Sequence, residues 1–185
     1  GTTVFHFTNR AKADTISRKV GQFRELMIQV WYPGDTSAVE KITAPYLPDP
    51  AVLKAFLDEQ YNFQSPSVIE SLKNVRTSAV LDIPVSEGLQ KMPLLIFSPG
   101  LGEPRSNYTA LSQELASHGY IVVSVDHPYG GFTVLPDGRI LSTNADDRGS
   151  TPEGASILTE EWAQDASFIV SRLISTVRSD SALMK

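Results

Sequence analysis

The stretch from Met92 to Asp126 constrains this chain more than any other, because its succession of patterns fits one kind of local structure. Leu94-Leu95-Ile96-Phe97 is a short unbroken apolar run, as expected of a central parallel strand covered on both faces. Ser98-Pro99-Gly100-Leu101-Gly102-Glu103-Pro104 follows, and two glycines with two prolines in seven residues exclude regular structure and predict a sharp loop with exposed backbone. A helix is predicted next, capped by Ser106 or Asn107, with Tyr108, Leu111 and Leu115 on one face and Gly119 as its stop. Tyr120-Ile121-Val122-Val123-Ser124-Val125 then reads as a second buried strand ending at Asp126. Strand, loop, helix and strand in that order form a βαβ unit, which predicts a right-handed crossover and a parallel pair.

The flanking sequence is read around that unit. Thr3 to Phe7 and Glu25 to Tyr32 are predicted strands that pair antiparallel at the margin of the sheet, the second ended by Pro33-Gly34. Pro48-Asp49-Pro50 predicts the start of a helix carrying Val52, Leu53, Phe56 and Leu57 on one face, and Ser65-Pro66-Ser67 a shorter one through Leu72. Residues 46–90 are accordingly expected to form a helical elaboration on the main sheet, with Ala79-Val80-Leu81 its one strand-like core. Pro136-Asp137-Gly138 marks a turn, and 144–154 a polar loop. The last predicted element is a helix with Trp162, Ala166, Ile169, Val170, Leu173 and Val177 along one stripe; its acids Glu160, Glu161 and Asp165 come early and Arg172 and Arg178 late, as the helix dipole favours. The expectation is an α/β fold: a mainly parallel sheet with antiparallel first strands and helices on both faces.

Composition narrows the partners. At 185 residues with 41% apolar content the chain has enough apolar surface to offset its ordering entropy within one domain. A formal charge of -5 without a run of either sign argues against nucleic acid as a partner. No stretch approaches the roughly 18–20 apolar residues of a membrane span, so no transmembrane segment is expected. The chain has no cysteine, hence no disulfide, no thiolate metal site and no cysteine nucleophile. Gly1-Thr2-Thr3 does not open a signal peptide, and the start reads as processed or trimmed, which leaves the compartment open, secretion included.

The chemistry-bearing candidates are few. A glycine loop at the carboxyl end of a parallel strand can turn unpaired N–H groups toward the crevice where open α/β sheets bind ligands. The amide of Leu101, flanked by Gly100 and Gly102, can therefore stabilise a developing oxyanion; the same loop can equally be a structural turn. It is not a dinucleotide fingerprint, because Arg105 stands where the third glycine belongs, and it lacks the Lys and Ser or Thr of a P-loop. No window carries the G-x-S-x-G nucleophile elbow, and Ser98 reads as a residue that shapes the turn. His127 follows a strand end at the functional edge, while His6 and His118 read as surface or capping residues. Asp126-His127 lacks a convincing third ligand, so neither metal nor cofactor is expected. Tyr129, among loop residues, is a candidate for the substrate wall together with Gly100, Gly102 and His127, whereas Trp31 and Tyr108 read as packing residues.

Taken together, Pro93 to Gly102, Leu115-Ala116-Ser117-His118-Gly119-Tyr120-Ile121-Val122, Val125-Asp126-His127 and the earlier Val30-Trp31-Tyr32-Pro33 resemble the α/β-hydrolases related to plasma platelet-activating factor acetylhydrolase. The resemblance implies that residues 1–185 are the amino-terminal portion of one incomplete α/β-hydrolase domain. It implies a serine esterase or lipase-like enzyme acting on a small ester or lipid through an acyl-enzyme. Within it the Leu101 amide supplies one oxyanion donor. Many relatives have His before the first glycine of the loop, where this chain has Pro99. The nucleophile, acid and base of such enzymes come later in chain order, so the expected partner is a complementary carboxyl-terminal segment carrying Ser, Asp and His, without which this chain is inactive. The competing reading is a non-catalytic binding or scaffold module derived from a hydrolase.

Overall fold

A computed structural model describes residues 1–16, 21–35, 37, 42–46, 66–87, 91–143 and 148–179. In chain order the elements are β1 (Thr2–Ala13), β2 (Phe23–Trp31), β3 (Thr43–Pro45), α1 (Pro66–Lys73), β4 (Arg76–Val80), β5 (Leu94–Phe97), a 3-10 turn (Arg105–Tyr108), α2 (Thr109–Ser117), β6 (Ile121–Asp126), β7 (Thr133–Val134), β8 (Ile140–Leu141), a second 3-10 turn (Arg148–Ser150) and α3 (Pro152–Ser179). The predicted helix at Pro48 lies outside the described residues.

The main sheet has the order β1-β2-β6-β5. The first two strands pair antiparallel as predicted, Thr2 opposite Trp31 through Asn9 opposite Arg24. β2 then docks antiparallel on β6, Met27 opposite Asp126, and β5 runs parallel to β6, Leu94 opposite Ile121. Two of the three junctions are thus antiparallel, so the expectation of a mainly parallel sheet is wrong. The βαβ unit is present, but it supplies a single parallel ladder, and the 12- and 9-residue amino-terminal strands outweigh the 4-residue β5. β5 was also expected to be central and covered on both faces. It lies at the edge of the sheet, with β6 its one neighbour among the described residues and Leu94 42% exposed.

Side-chain alternation divides the core between the two faces. Leu26, Ile28 and Val30 of β2 join Val123 and Val125 of β6 on the face that packs against Ile169 of α3. Trp31 and Val122 point the other way, against Ala116 of α2. Hence α2 and α3 lie on opposite faces, and β2 and β6, buried on both, form the rigid centre. α3 begins at Pro152, whose missing N–H costs nothing at a first helical position, after Thr151, whose hydroxyl accepts from the Gly154 N–H at 3.1 Å. Leu158, Asp165 and Ile169 are buried on one stripe of it, at helical spacings of seven and four residues. Trp162, partly buried, falls on the same stripe.

The region expected as a helical elaboration contains α1 and also the strand β4, which pairs antiparallel with β3 just ahead of that region, Thr43 opposite Val80. Ala79, Val80 and Ile83 are buried there. The turn at Pro136–Gly138 closes the β7-β8 hairpin, Thr133 opposite Leu141.

Candidate active site

The topology brings three strand ends to one edge. β5 and β6 run parallel, so Ser98 and His127 leave the sheet on the same side; β2 runs opposite to β6, so its beginning, at Arg24, returns to that side. The loop after β5 is a tight turn in which the Glu103 N–H donates to the Gly100 carbonyl at 3.0 Å. Gly102 has φ 89°, a conformation that glycine adopts without steric penalty. Its own N–H donates to the Gly130 carbonyl at 2.7 Å. Inside that turn, just ahead of the bonded amides of Gly102 and Glu103, the Leu101 N–H has no acceptor among the described residues, and Leu101 is 52% exposed. Gly100 is exposed and Gly102 half-buried beside it. An unpaired donor on a loop held at both sides can bind an anionic oxygen with little reorganisation.

Behind the loop a polar line runs from the exposed Ser98 to the buried His127, Asp165 and Arg24. The Ser98 Oγ is 3.0 Å from His127 Nε2, and His127 Nδ1 is 2.9 Å from Asp165 Oδ2. Arg24 reaches Asp165 with two bonds, Nε to Oδ1 and Nη2 to Oδ2, each 2.7 Å. Side-chain exposure falls to 2% at His127 and 0% at Asp165. Burial pushes the Asp165 carboxyl up, but hydrogen bonds from His127 and Arg24, with the Arg24 charge, outweigh that and hold it below the ordinary carboxylate range. The His127 ring lies flat on Trp162, centroids 4.7 Å apart and planes within 7°.

The turn from His127 to Gly131 forms the floor. At Gly130 a Cβ would stand 2.5 Å from the Trp162 ring, and at Gly131 it would collide with the Glu103 carbonyl, so both positions take the two chains in direct contact. Tyr129 has φ 62°, unusual for a side chain of its size, and is held there by burial among Met27, Leu135 and Leu141 and by its hydroxyl donating to Asp14 Oδ2 at 2.8 Å. It is 5% exposed. Burial and the Asp14 carboxylate push its phenol well above the ordinary range. Arg105, read in the sequence as an obstruction to a dinucleotide fold, ion-pairs with Asp126 and donates its backbone N–H to Asp126 Oδ1 at 2.6 Å, fastening the far end of the loop to β6.

The family model for platelet-activating factor acetylhydrolase, isoform II, matches residues 14–129, well over half of the chain's 185 residues. The chain belongs to that family. The platelet-activating factor acetylhydrolase of Cavia porcellus is 50% identical over 54 residues, covering 29% of the chain and 12% of that protein. A probable 1-alkyl-2-acetylglycerophosphocholine esterase of Arthroderma benhamiae is 30% identical over 86 residues, covering 46% of the chain and 22% of its own length. The ferulic acid esterase of Streptomyces cinnamoneus superposes with a TM-score of 0.71 at 31% identity, over 93% of this chain and 45% of that one. The chain therefore spans less than half the length of each of these relatives.

In this acetylhydrolase-family chain the structure brings together Gly100, Leu101, Gly102 and His127 at one edge, while the Tyr129 side chain turns into the core beneath them. His6 pairs with Glu25 and His118 with the carbonyl of Glu114, and neither bonds the loop or the polar line behind it among the described residues. Sequence reasoning missed Arg24, Trp162 and Asp165 as parts of the site. One signal was available: Asp165 falls three residues after Trp162 and four before Ile169, which places an acid on the apolar stripe of its helix, where it needs a buried partner. Nothing in the local sequence around Arg24 identifies it as that partner, because the pair spans 141 positions.

Proposed function

We propose that the polypeptide carrying this chain is a carboxylic ester hydrolase working through an acyl-enzyme, in which the Leu101 N–H is one oxyanion donor. The observation that carries this reading is the Leu101 amide, without an acceptor among the described residues, at the carboxyl end of a parallel strand and just ahead of the bonded amides of Gly102 and Glu103. A tetrahedral intermediate places negative charge on the former carbonyl oxygen, and a fixed donor aimed there is worth on the order of 3 kcal/mol of barrier. Gly100 and Gly102 let the backbone approach substrate, and His127 with the turn through Tyr129 supports the wall of the site. The named activities of the relatives, acetylhydrolase and esterase, support the same reaction class, and a short acyl ester of a lipid is the substrate class they favour.

The nucleophile, its base and its acid lie outside residues 1–185 in this reading, on a segment that completes the domain. The pairing of β5 on one side alone among the described residues supports that arrangement, since such an edge offers backbone groups for a further strand. The test uses the full polypeptide with p-nitrophenyl acetate and a fluorophosphonate probe, followed by peptide mapping. Hydrolysis with a single labelled serine outside residues 1–185 supports the reading. Absence of both hydrolysis and labelling would instead favour a hydrolase-derived binding or scaffold module.

A further inference from the structure

We infer that Ser98 and His127 are positioning residues that hold the Leu101 amide in place, through the hydrogen-bonded line Ser98–His127–Asp165–Arg24; this rests on the oxyanion reading above. Direction along the line follows from the donors available. Asp165 accepts two bonds from Arg24 and, as a carboxylate, has no proton to give, so His127 Nδ1–H is the donor between the ring and the acid. On the other side of the ring, Nε2 and the Ser98 hydroxyl complete the line at 3.0 Å. Ser98 is the first residue beyond β5 and stands three residues before Leu101, with Pro99 fixing the backbone between. Pinning its side chain to a buried ring pins the exit of the loop from the strand.

The other side of the loop is pinned by the same turn. Gly102 donates to Gly130, and Gly130 lies against Trp162, on which the His127 ring is stacked. Both flanks of Leu101 thus take their position from one α3 surface, Trp162 and Asp165, through the residues that follow β6. The serine, imidazole and carboxylate have the composition of a nucleophilic triad, but three features argue for support. Both oxygens of Asp165 are engaged by Arg24, the ring is closed beneath Trp162, and Pro99 has no N–H where the residue after a nucleophile would donate to the oxyanion.

The test measures ester hydrolysis by the full polypeptide carrying wild type, Ser98→Ala or Ser98→Thr, with thermal midpoints recorded for each. Losing the Ser98 hydroxyl frees the loop, and small misplacements of a catalytic donor are costly, so Ser98→Ala is expected to lower kcat by about ten- to a hundredfold. KM should stay within about twofold, because the interaction acts on the transition state, and Ser98→Thr, which keeps the hydroxyl, should restore most of the rate. Fluorophosphonate should label the same serine outside residues 1–185 in all three. Wild-type kcat in Ser98→Ala, a loss that Ser98→Thr does not relieve, a loss confined to KM, or labelling of Ser98 itself would each overturn the proposal. Absence of hydrolysis and labelling in the wild type would overturn the esterase reading instead, which separates the two failures.

Discussion

Arg24 and Asp165 are buried partners joined by two hydrogen bonds, and the free energy of that arrangement lies in what happens when one is removed. Arg24→Met leaves Asp165 in the interior with His127 as its remaining partner, and is expected to destabilise by about 3–5 kcal/mol in urea unfolding. The pair also sets a pH dependence of known sign. The folded Asp165 carboxyl lies below its ordinary value, so its contribution is present above that value and is lost as pH falls through the folded one. The stability gap between wild type and Asp165→Asn should therefore be full near about pH 6 and shrink steadily toward about pH 3, as read from urea midpoints. At this scale the sequence exposes chemistry that is local and conceals chemistry that is distant. The glycine loop and His127 can be singled out because their neighbours define them, whereas Ser98 and Asp165 acquire their roles from contacts that span 29 and 38 positions.

At the scale of elements, the turn after β6 is the joint between α3 and the loop. Gly130→Ala forces a methyl group against the Trp162 indole and must either shift that ring or move the turn, at an expected cost of about 1–3 kcal/mol. Near-ultraviolet circular dichroism and denaturant midpoints should change together if the Trp162 stack is displaced. Ile169→Ala, on the same helix, removes a fully buried side chain packed against both central strands and should cost about 2–5 kcal/mol with little effect on the loop. The elements themselves were largely legible from periodicity: the first two strands, the β5-α2-β6 crossover and the long last helix all occur. Their neighbours were not. An apolar run such as Leu94 to Phe97 reports that a strand is covered, and it cannot report that its second neighbour is absent among the described residues. The helix cap shows the same limit, since both predicted caps, Ser106 and Asn107, lie in a 3-10 turn held by Arg105 and Asp126, and α2 begins at Thr109.

For the molecule as a whole, a β5 edge open on one side and a half-exposed Leu94 are liabilities in a chain that stands alone. Residues 1–185 expressed by themselves are expected to self-associate at micromolar concentration in sedimentation velocity, and to do so less when co-expressed with the remainder of the polypeptide. The expectation of a mainly parallel sheet fails because the βαβ motif is a strong local signal, while the hairpin that makes the sheet mostly antiparallel depends on two long strands docking on β6. In the proposed esterase reading, the residues at this edge serve the Leu101 amide. A crystal structure of the full polypeptide inactivated by a fluorophosphonate would test it most directly, since the phosphonyl oxygen stands where the oxyanion would be. That oxygen is predicted at about 2.7–3.1 Å from the Leu101 nitrogen. An adduct whose oxygen points away from Leu101 toward other donors, with the loop unchanged, would contradict the account.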